Sequence, residues 1–318
     1  MHNSETGRRE RRGDSVPSPF LVALSIGTLW LVGGLVYPML AIASDSLTAI
    51  QLTAVRTTGA VLMTTPFLLF RSGSREHLRS LFSWRTLWPN IVAGVMFYPI
   101  GNGLLTWASA RLPSSLSALS FSLLPVLAAA VAALRGHRLG RWVWSGIGAA
   151  SISMLVVVGA PDADVQLIPL FAALASVLCW FAGTEYWASR GISIDLLSSV
   201  WVQLVVGSIA CWVSVALAGD GVPASDVWVQ PLIVLLAFSQ FIQHAAYLGM
   251  AGRISPVLLT SFAFVNPVVA AIAGYLLLEQ RLTAVQLAAS AVLLVAVSLV
   301  VRFSTSPQAA ADDVTRSG

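Results

Sequence analysis

Lysine is absent from this sequence, and all 18 basic residues are arginine. Charge of either sign is scarce: only 10% of the residues are charged, against about a quarter in a soluble domain. Water is therefore not the main solvent of this chain, and the apolar runs leave no room for a sizeable soluble domain. Cysteine is nearly absent too. Cys179 and Cys211 both fall in apolar runs and read as small packing residues rather than a disulfide or metal site. No Walker loop, dinucleotide glycine motif or nucleophile elbow occurs, which excludes a motor ATPase domain within this chain. His2, His77, His137 and His244 have no partner at ligand spacing, so neither a metal nor another cofactor is expected.

What the chain does have is apolar length. Over 318 residues, 57% are apolar and the mean hydropathy is +0.81. A helix crosses a bilayer with about 20 apolar residues. The runs predict spans at 20–42, 47–70, 86–108, 114–134, 141–159, 167–188, 195–217, 229–250, 255–277 and 283–302. Helices are expected because lipid offers the backbone no partners and the alternation of a barrel strand is missing. The fold class expected is an all-α integral membrane protein with ten transmembrane helices. The polar tails, 1–18 and 304–318, read as disordered. Arg8, Arg9, Arg11 and Arg12 ahead of an apolar stretch also suit a signal peptide. The run from 20 to 43 exceeds a normal signal core and has a later counterpart, which favours a retained first helix.

Ten helices place both termini on one side, and the arginines choose it. The first tail and the loops containing Arg71, Arg75, Arg79, Arg85, Arg135, Arg138, Arg141, Arg190 and Arg253 alternate with Arg-poor loops. With Arg302 and Arg316 they put fifteen arginines on one face. Only Arg111 and Arg281 fall on the other, with Asp45, Asp162, Asp164, Asp220 and Asp226. The bias predicts cytoplasmic termini in the cell membrane. A net charge of +4 and a pI near 9.6 thus reflect topology, and no nucleic-acid partner is expected.

The chain repeats itself. Leu29-Trp30-Leu31-Val32-Gly33 aligns with Cys179-Trp180-Phe181-Ala182-Gly183 at an offset of 150. Ala110-Arg111-Leu112, Leu123-Leu124-Pro125-Val126 and Ala128-Ala129-Ala130 align with Gly252-Arg253-Ile254, Val265-Asn266-Pro267-Val268 and Ala270-Ala271-Ile272 at 142. Two units, 19–160 and 161–303, each hold five spans, so the second enters the membrane from the opposite side. Inverted repeats are common in secondary transporters, with the substrate site between the halves.

The second half reads Pro256…Asn266-Pro267-Val268…Gly274…Leu278-Glu279-Gln280-Arg281-Leu282-Thr283…Gln286. This resembles the segment that closes each half of EamA-type members of the drug/metabolite transporter superfamily. Val55-Arg56 is similar to that family's Arg-containing second helix, and Trp30 to its first-helix Leu-Trp-Gly motif. The resemblance covers residues 20–302. It departs at His137, where an acidic residue is usual, and after Trp30, where Leu31-Val32 precede the glycine. It implies ten helices, a plasma-membrane location and export or exchange of a small metabolite.

Several polar residues fall inside the spans. Gln240, Gln243, His244 and Tyr247 lie at i, i+3, i+4 and i+7, one helical face. An offset of 142 sets Tyr98 against Gln240 and Asn102 against His244. The stripe either lines a substrate cavity or bonds one helix to another. Glu185 is the acidic residue deepest in a span. It and His244 are candidates for proton coupling, although Glu185 also suits snorkelling or pairing with Arg190 beside Tyr186 and Trp187. Arg56 either meets a substrate carboxylate or is a structural cation paired with a carbonyl or Glu185. Trp30 and Tyr37 share a face, and Trp180 is the repeat partner of Trp30; these aromatics suit substrate walls or packing. Pro38, Pro99, Pro125 and Pro267 are expected inside spans as hinges. Ser114, Ser115, Ser117, Ser120 and Ser122 give the fourth span a hydroxyl-rich start, for a cavity wall or a cap.

The expected function is therefore a secondary transporter exporting or exchanging an amino acid or drug-like compound by alternating access. A membrane-embedded lipid enzyme and a non-transporting receptor are the alternatives. The first lacks a cluster of catalytic groups near an interface, and the second lacks large loops. The sequence leaves the oligomeric state open, a homodimer included.

Overall fold

The computed structural model describes residues 18–71, 83–134, 140–159, 166–190, 196–221, 229–250 and 262–304. Among them every regular element is a helix: α1 (Pro19–Ala43), α2 (Ala49–Arg71), α3 (Trp84–Ser109), α4 (Ser114–Phe121) and α5 (Leu124–Leu134). These are followed by α6 (Arg141–Gly159), α7 (Leu167–Ser189), α8 (Leu196–Leu217), α9 (Gln230–Met250), α10 (Phe262–Leu278) and α11 (Ala284–Ser304). Pro19–Ala43, Ala49–Phe70, Trp84–Ser109, Leu167–Trp187 and Leu197–Leu217 are long and apolar enough to cross a membrane. Gln230–Gln243, Val265–Leu278 and Ala284–Ala296 are shorter apolar helical stretches.

The bundle is apolar outside and polar inside. Phe70, Leu62, Ile168, Phe171, Ile209, Leu276 and Val295 are exposed, whereas Thr57, Asn90, Asn102, Thr106, Ser117 and Gln240 are buried. A soluble protein would not present so much contiguous apolar surface to water. Lipid accepts it, and sends the polar side chains inward to find partners. This is a multi-pass membrane protein.

Two local features depart from plain helix. Within α3, residues Met96–Asn102 form a π-helical stretch containing Pro99. Proline has no N–H and crowds the preceding turn, and a widened turn is one way to absorb it. The expected fourth span, 114–134, is two helices rather than one. Ser122 and Leu123 form a turn, with their N–H groups bonding Leu119 and Ser120 carbonyls at 3.0 and 3.2 Å. Pro125 is therefore not a mid-helix hinge. It sits in the first turn of α5, where its missing N–H costs nothing. Pro38 and Pro267 do lie inside α1 and α10, and so does Pro66 inside α2. The other observed helix bounds lie within two residues of those expected, except that the start of the ninth span falls outside the described residues.

The helices pack in a definite pattern. α6 lies along α11, α2 along α8, and α4 against α10. α1 packs on α9 and α10; α7 packs on α3, α4 and α5; α8 packs on α3; and α9 packs on α2. Exchanging α1 with α7, α2 with α8, α3 with α9, α4–α5 with α10 and α6 with α11 turns these pairs into one another. Thr58 on α2 and Ser208 on α8 share a hydrogen bond of 2.7 Å between hydroxyls 150 positions apart.

Small residues set the closest crossings. A Cβ added at Gly94 would lie 2.6 Å from the Gln203 carbonyl oxygen, and one at Gly59 would lie 2.5 Å from the Ala237 Cβ. α3 thus touches α8, and α2 touches α9, nearly backbone to backbone. Gly33 and Gly34 likewise admit Asn266 and Val269 of α10. There the Asn266 amide nitrogen, oriented to suit its surroundings, donates to the Trp30, Leu29 and Phe262 carbonyls at 3.0, 3.1 and 3.2 Å.

These crossings separate two kinds of glycine. Gly94→Ala drives a methyl into backbone and is expected to cost about 1–3 kcal/mol. Gly148→Ala meets nothing within 4 Å and should be neutral or stabilising by up to about 1 kcal/mol. Unfolding of the two purified variants in mixed detergent micelles reads the difference.

Candidate functional site

Near the middle of α2, Arg56 is only 6% exposed. Its Nε donates to Gln240 Oε1 of α9 at 2.5 Å, a contact between residues 184 apart that joins the two halves. Its Nη1 is buried with no hydrogen-bond partner among the described residues. The guanidinium interacts electrostatically with Tyr98 of α3, Cys211 of α8 and Tyr37 of α1. Five helices thus converge on one cation, three from the first half and two from the second. Tyr98 is fully buried, and its hydroxyl also lacks a partner among the described residues. Its ring rests on Gly207, where no side chain would fit.

An aromatic group adjoins this cluster. Trp180 of α7 stacks on Phe97 with centroids 4.5 Å apart and planes at 17°, and Phe121 approaches it edge-on at 6.5 Å. Phe97 in turn meets Tyr98 edge to face at 6.3 Å. The Trp180 Nε1 is buried without a partner among the described residues. Tyr37 packs with Leu105, Ala118, Ala270 and Phe121. The π-helical stretch presents Tyr98 and the buried Asn102 from the same segment of α3.

The remaining expected site residues are dispersed. Trp30 lies in a different cluster from Tyr37, against Ile26, Leu29 and Met250, so their shared helical face does not make a shared wall. Gln243 diverges from Gln240: its Nε2 donates back to the Ser239 carbonyl at 3.1 Å. His244 and Tyr247 follow on α9, but their side chains lie outside the described part of the structure, as do His2, His77 and His137. Glu185 is half-buried in the last turns of α7. Arg190 lies over the Tyr186 ring at 4.7 Å. The partner found for Arg56 is the side-chain carbonyl of Gln240, of the carbonyl kind expected for a structural cation, although the sequence does not single out Gln240 for it. Of the serines, Ser122 bonds the Ala263 carbonyl of α10, and Ser114 and Ser117 have buried hydroxyls with no partner among the described residues.

A second polar node was missed at sequence level. Asn90 Oδ1 of α3 accepts from Trp187 Nε1 of α7 at 3.0 Å and from Gln203 Nε2 of α8 at 2.9 Å. Its Nδ2 donates to the Thr86 carbonyl at 2.8 Å. Trp212 Nε1 also donates to Thr58 Oγ1 at 2.9 Å. The signal was present as Asn and Gln residues within apolar spans, but they form no stripe along their helices.

No family model matches the chain. The uncharacterized inner membrane transporter YedA of Escherichia coli (strain K12) is 24% identical over 275 residues, covering 86% of this chain and 88% of its own length. The uncharacterized transporter YvbV of Bacillus subtilis (strain 168) is 26% identical over 188 residues, 54% of this chain and 60% of its own. A solved crystal structure shares the fold with a TM-score of 0.61 at 17% identity, over 91% of this chain and 100% of the other.

Removing the acceptor of a buried charge should be costly. Gln240→Leu is expected to lower stability by about 1.5–3 kcal/mol. The double variant Arg56→Met with Gln240→Leu should recover much of that loss, since no orphaned charge remains. A double-mutant cycle on reversible unfolding in detergent measures the coupling.

Proposed function

We propose that this chain is a secondary transporter of the EamA type, moving a small metabolite across the cell membrane by alternating access. The observation that carries the reading is the exchange of packed helix pairs when residues 19–160 are swapped with 161–303. A bundle built as two inverted five-helix repeats with ten spans has that property. The Thr58–Ser208 hydrogen bond, whose 150-residue offset equals that of Trp30 and Trp180, supports it. Similarity to inner membrane transporters over most of the chain supports the same reading.

In this proposal the site lies between the repeats, around Arg56, Gln240, Tyr98 and Tyr37, with Trp180 and Asn102 beside them. Gln243, His244, Tyr247 and Trp30 extend it along α9 and α1. Export is favoured over uptake by family resemblance, and Glu185 or His244 supplies proton coupling. Both termini are cytoplasmic, as the arginine distribution predicts.

Flux of radiolabelled amino acids and related metabolites into proteoliposomes tests the reading. At least one compound should move, and an imposed pH gradient should accelerate it. Asn102→Ala and Tyr98→Phe should each slow that flux about tenfold or more, as lost buried polar contacts do; unchanged flux in both would remove the site from this interface. If Glu185 couples protons, Glu185→Gln should leave flux indifferent to the gradient.

Topology has its own test in a Cys179→Ser, Cys211→Ser background. A cysteine at position 220 should react with a membrane-impermeant maleimide in intact cells. One at position 302 should react only after permeabilisation.

A further inference from the structure

The charge at the centre of the bundle bears on what is carried. A guanidinium stays protonated throughout the physiological range, so Arg56 holds a permanent positive charge inside a low-dielectric bundle. The groups that feel it are two tyrosines and a cysteine, all neutral in their ordinary state. Its one described hydrogen bond is to a neutral amide. Among the described residues, neither Glu185 nor any other carboxylate belongs to these neighbours, and Asp45, Asp220 and Glu279, the other described acidic residues, lie just beyond helix ends. A buried cation without a counterion is expensive. The Nη1 nitrogen and the Tyr98 hydroxyl remain buried and without partners among the described residues. Among the described residues, the site has donors to spare and no negative charge.

We infer that the transported compound is a singly charged organic anion whose carboxylate takes Arg56 Nη1 and the Tyr98 hydroxyl, beside the Phe97–Trp180 stack. The inference rests on the transporter reading above and adds the class of substrate. A monoanion neutralises the single fixed charge, whereas a dianion leaves one uncompensated negative charge in the same low-dielectric site. The planar guanidinium matches a carboxylate better than a point charge does. Next to it, the stacked Phe97 and Trp180 rings offer an apolar face for the carbon skeleton. Gln240 already holds Nε, which fixes the guanidinium before the substrate arrives and lowers the cost of ordering it.

The test uses compounds of matched skeleton and different charge: phenylacetate, phenylacetamide and phenethylamine, with isovalerate, isovaleramide and isoamylamine. Binding to the full chain in detergent is read by thermal shift, and flux by uptake into proteoliposomes. The carboxylates should bind at least tenfold more tightly than their amides, and the amines should not bind. Arg56→Lys should weaken carboxylate binding about tenfold, and Arg56→Met should abolish the preference over the amide. Tyr98→Phe removes only a hydroxyl; it should fold and weaken carboxylates without affecting amides. The inference is overturned if amides or amines bind as well as the acids, if no carboxylate binds, or if Arg56→Met retains the preference. Flux of a neutral or cationic compound alone would sink this inference and leave the transporter standing. Arg56-dependent carboxylate binding without any flux would do the reverse.

Discussion

A permanent positive charge in the interior of a lipid-embedded bundle constrains everything placed near it. Burial takes Arg56 away from bulk solvent, so side-chain oxygen atoms that reach it carry much of its solvation. The first oxygen comes from Gln240, on a helix of the other half. That one bond requires α2 and α9 to approach closely. The approach is granted by Gly59, whose missing side chain admits Ala237. Tyr98 can reach the same region because Gly207 leaves room for its ring. The polar centre and the small-residue crossings are therefore two sides of one arrangement. A larger residue at any of these glycines would move the helices that solvate the charge.

The two halves are alike in packing but not in chemistry. The crossing of α2 with α9 at Gly59 has its counterpart in the crossing of α3 with α8 at Gly94. On the sequence offset of 142, however, Gln240 corresponds to Tyr98, and on the offset of 150 the charged residue Arg56 corresponds to the uncharged Val206. In the proposed two-repeat reading, the scaffold has two equivalent places for a polar group, and among the described residues only one of them carries a cation. In that reading, a single charge at a near-symmetric interface would give the proposed site a direction, since a bound molecule would meet different chemistry on either side.

Much of this was legible in the sequence. Helix limits were readable because a 20-residue apolar run has one stable form in lipid. What was not legible depends on pairing between distant helices. The break at Ser122–Leu123 was hidden because Pro125 suits a mid-span kink and a helix start equally well. The periodicity that joined Gln240 to Gln243 was real, yet Gln243 turns back to its own helix, since facing one way along a helix does not give two side chains one partner. Asn90 was overlooked for the converse reason: it belongs to no polar stripe and gains its meaning from Trp187 and Gln203, which lie 97 and 113 residues away.

In the proposed transporter, contacts between halves at the two ends of the bundle must give way while those in the middle persist. Their chemistry is suited to that division. At the Arg-poor end, Thr48 donates to Asp220 at 2.8 Å, Gln51 to the Gly221 carbonyl at 3.0 Å, and the Ser114 N–H to Gln280 at 2.9 Å. At the other end, the ties include the Asn90 bonds to Trp187 and Gln203 and the Trp201 Nε1 bond to Thr65 Oγ1. Single hydrogen bonds of this kind are worth about 1 kcal/mol each, so a few can be exchanged for water at modest cost near a membrane surface. The glycine crossings cannot slip in the same way, because backbone already touches side chain or backbone across them. Ligand binding worth a few kcal/mol at Arg56 is enough to bias which end opens, provided the ligand meets the charge differently in the two states. The centre is then the pivot as well as the binding site, and the weak ties at either end are the parts that the ligand's binding energy can afford to break.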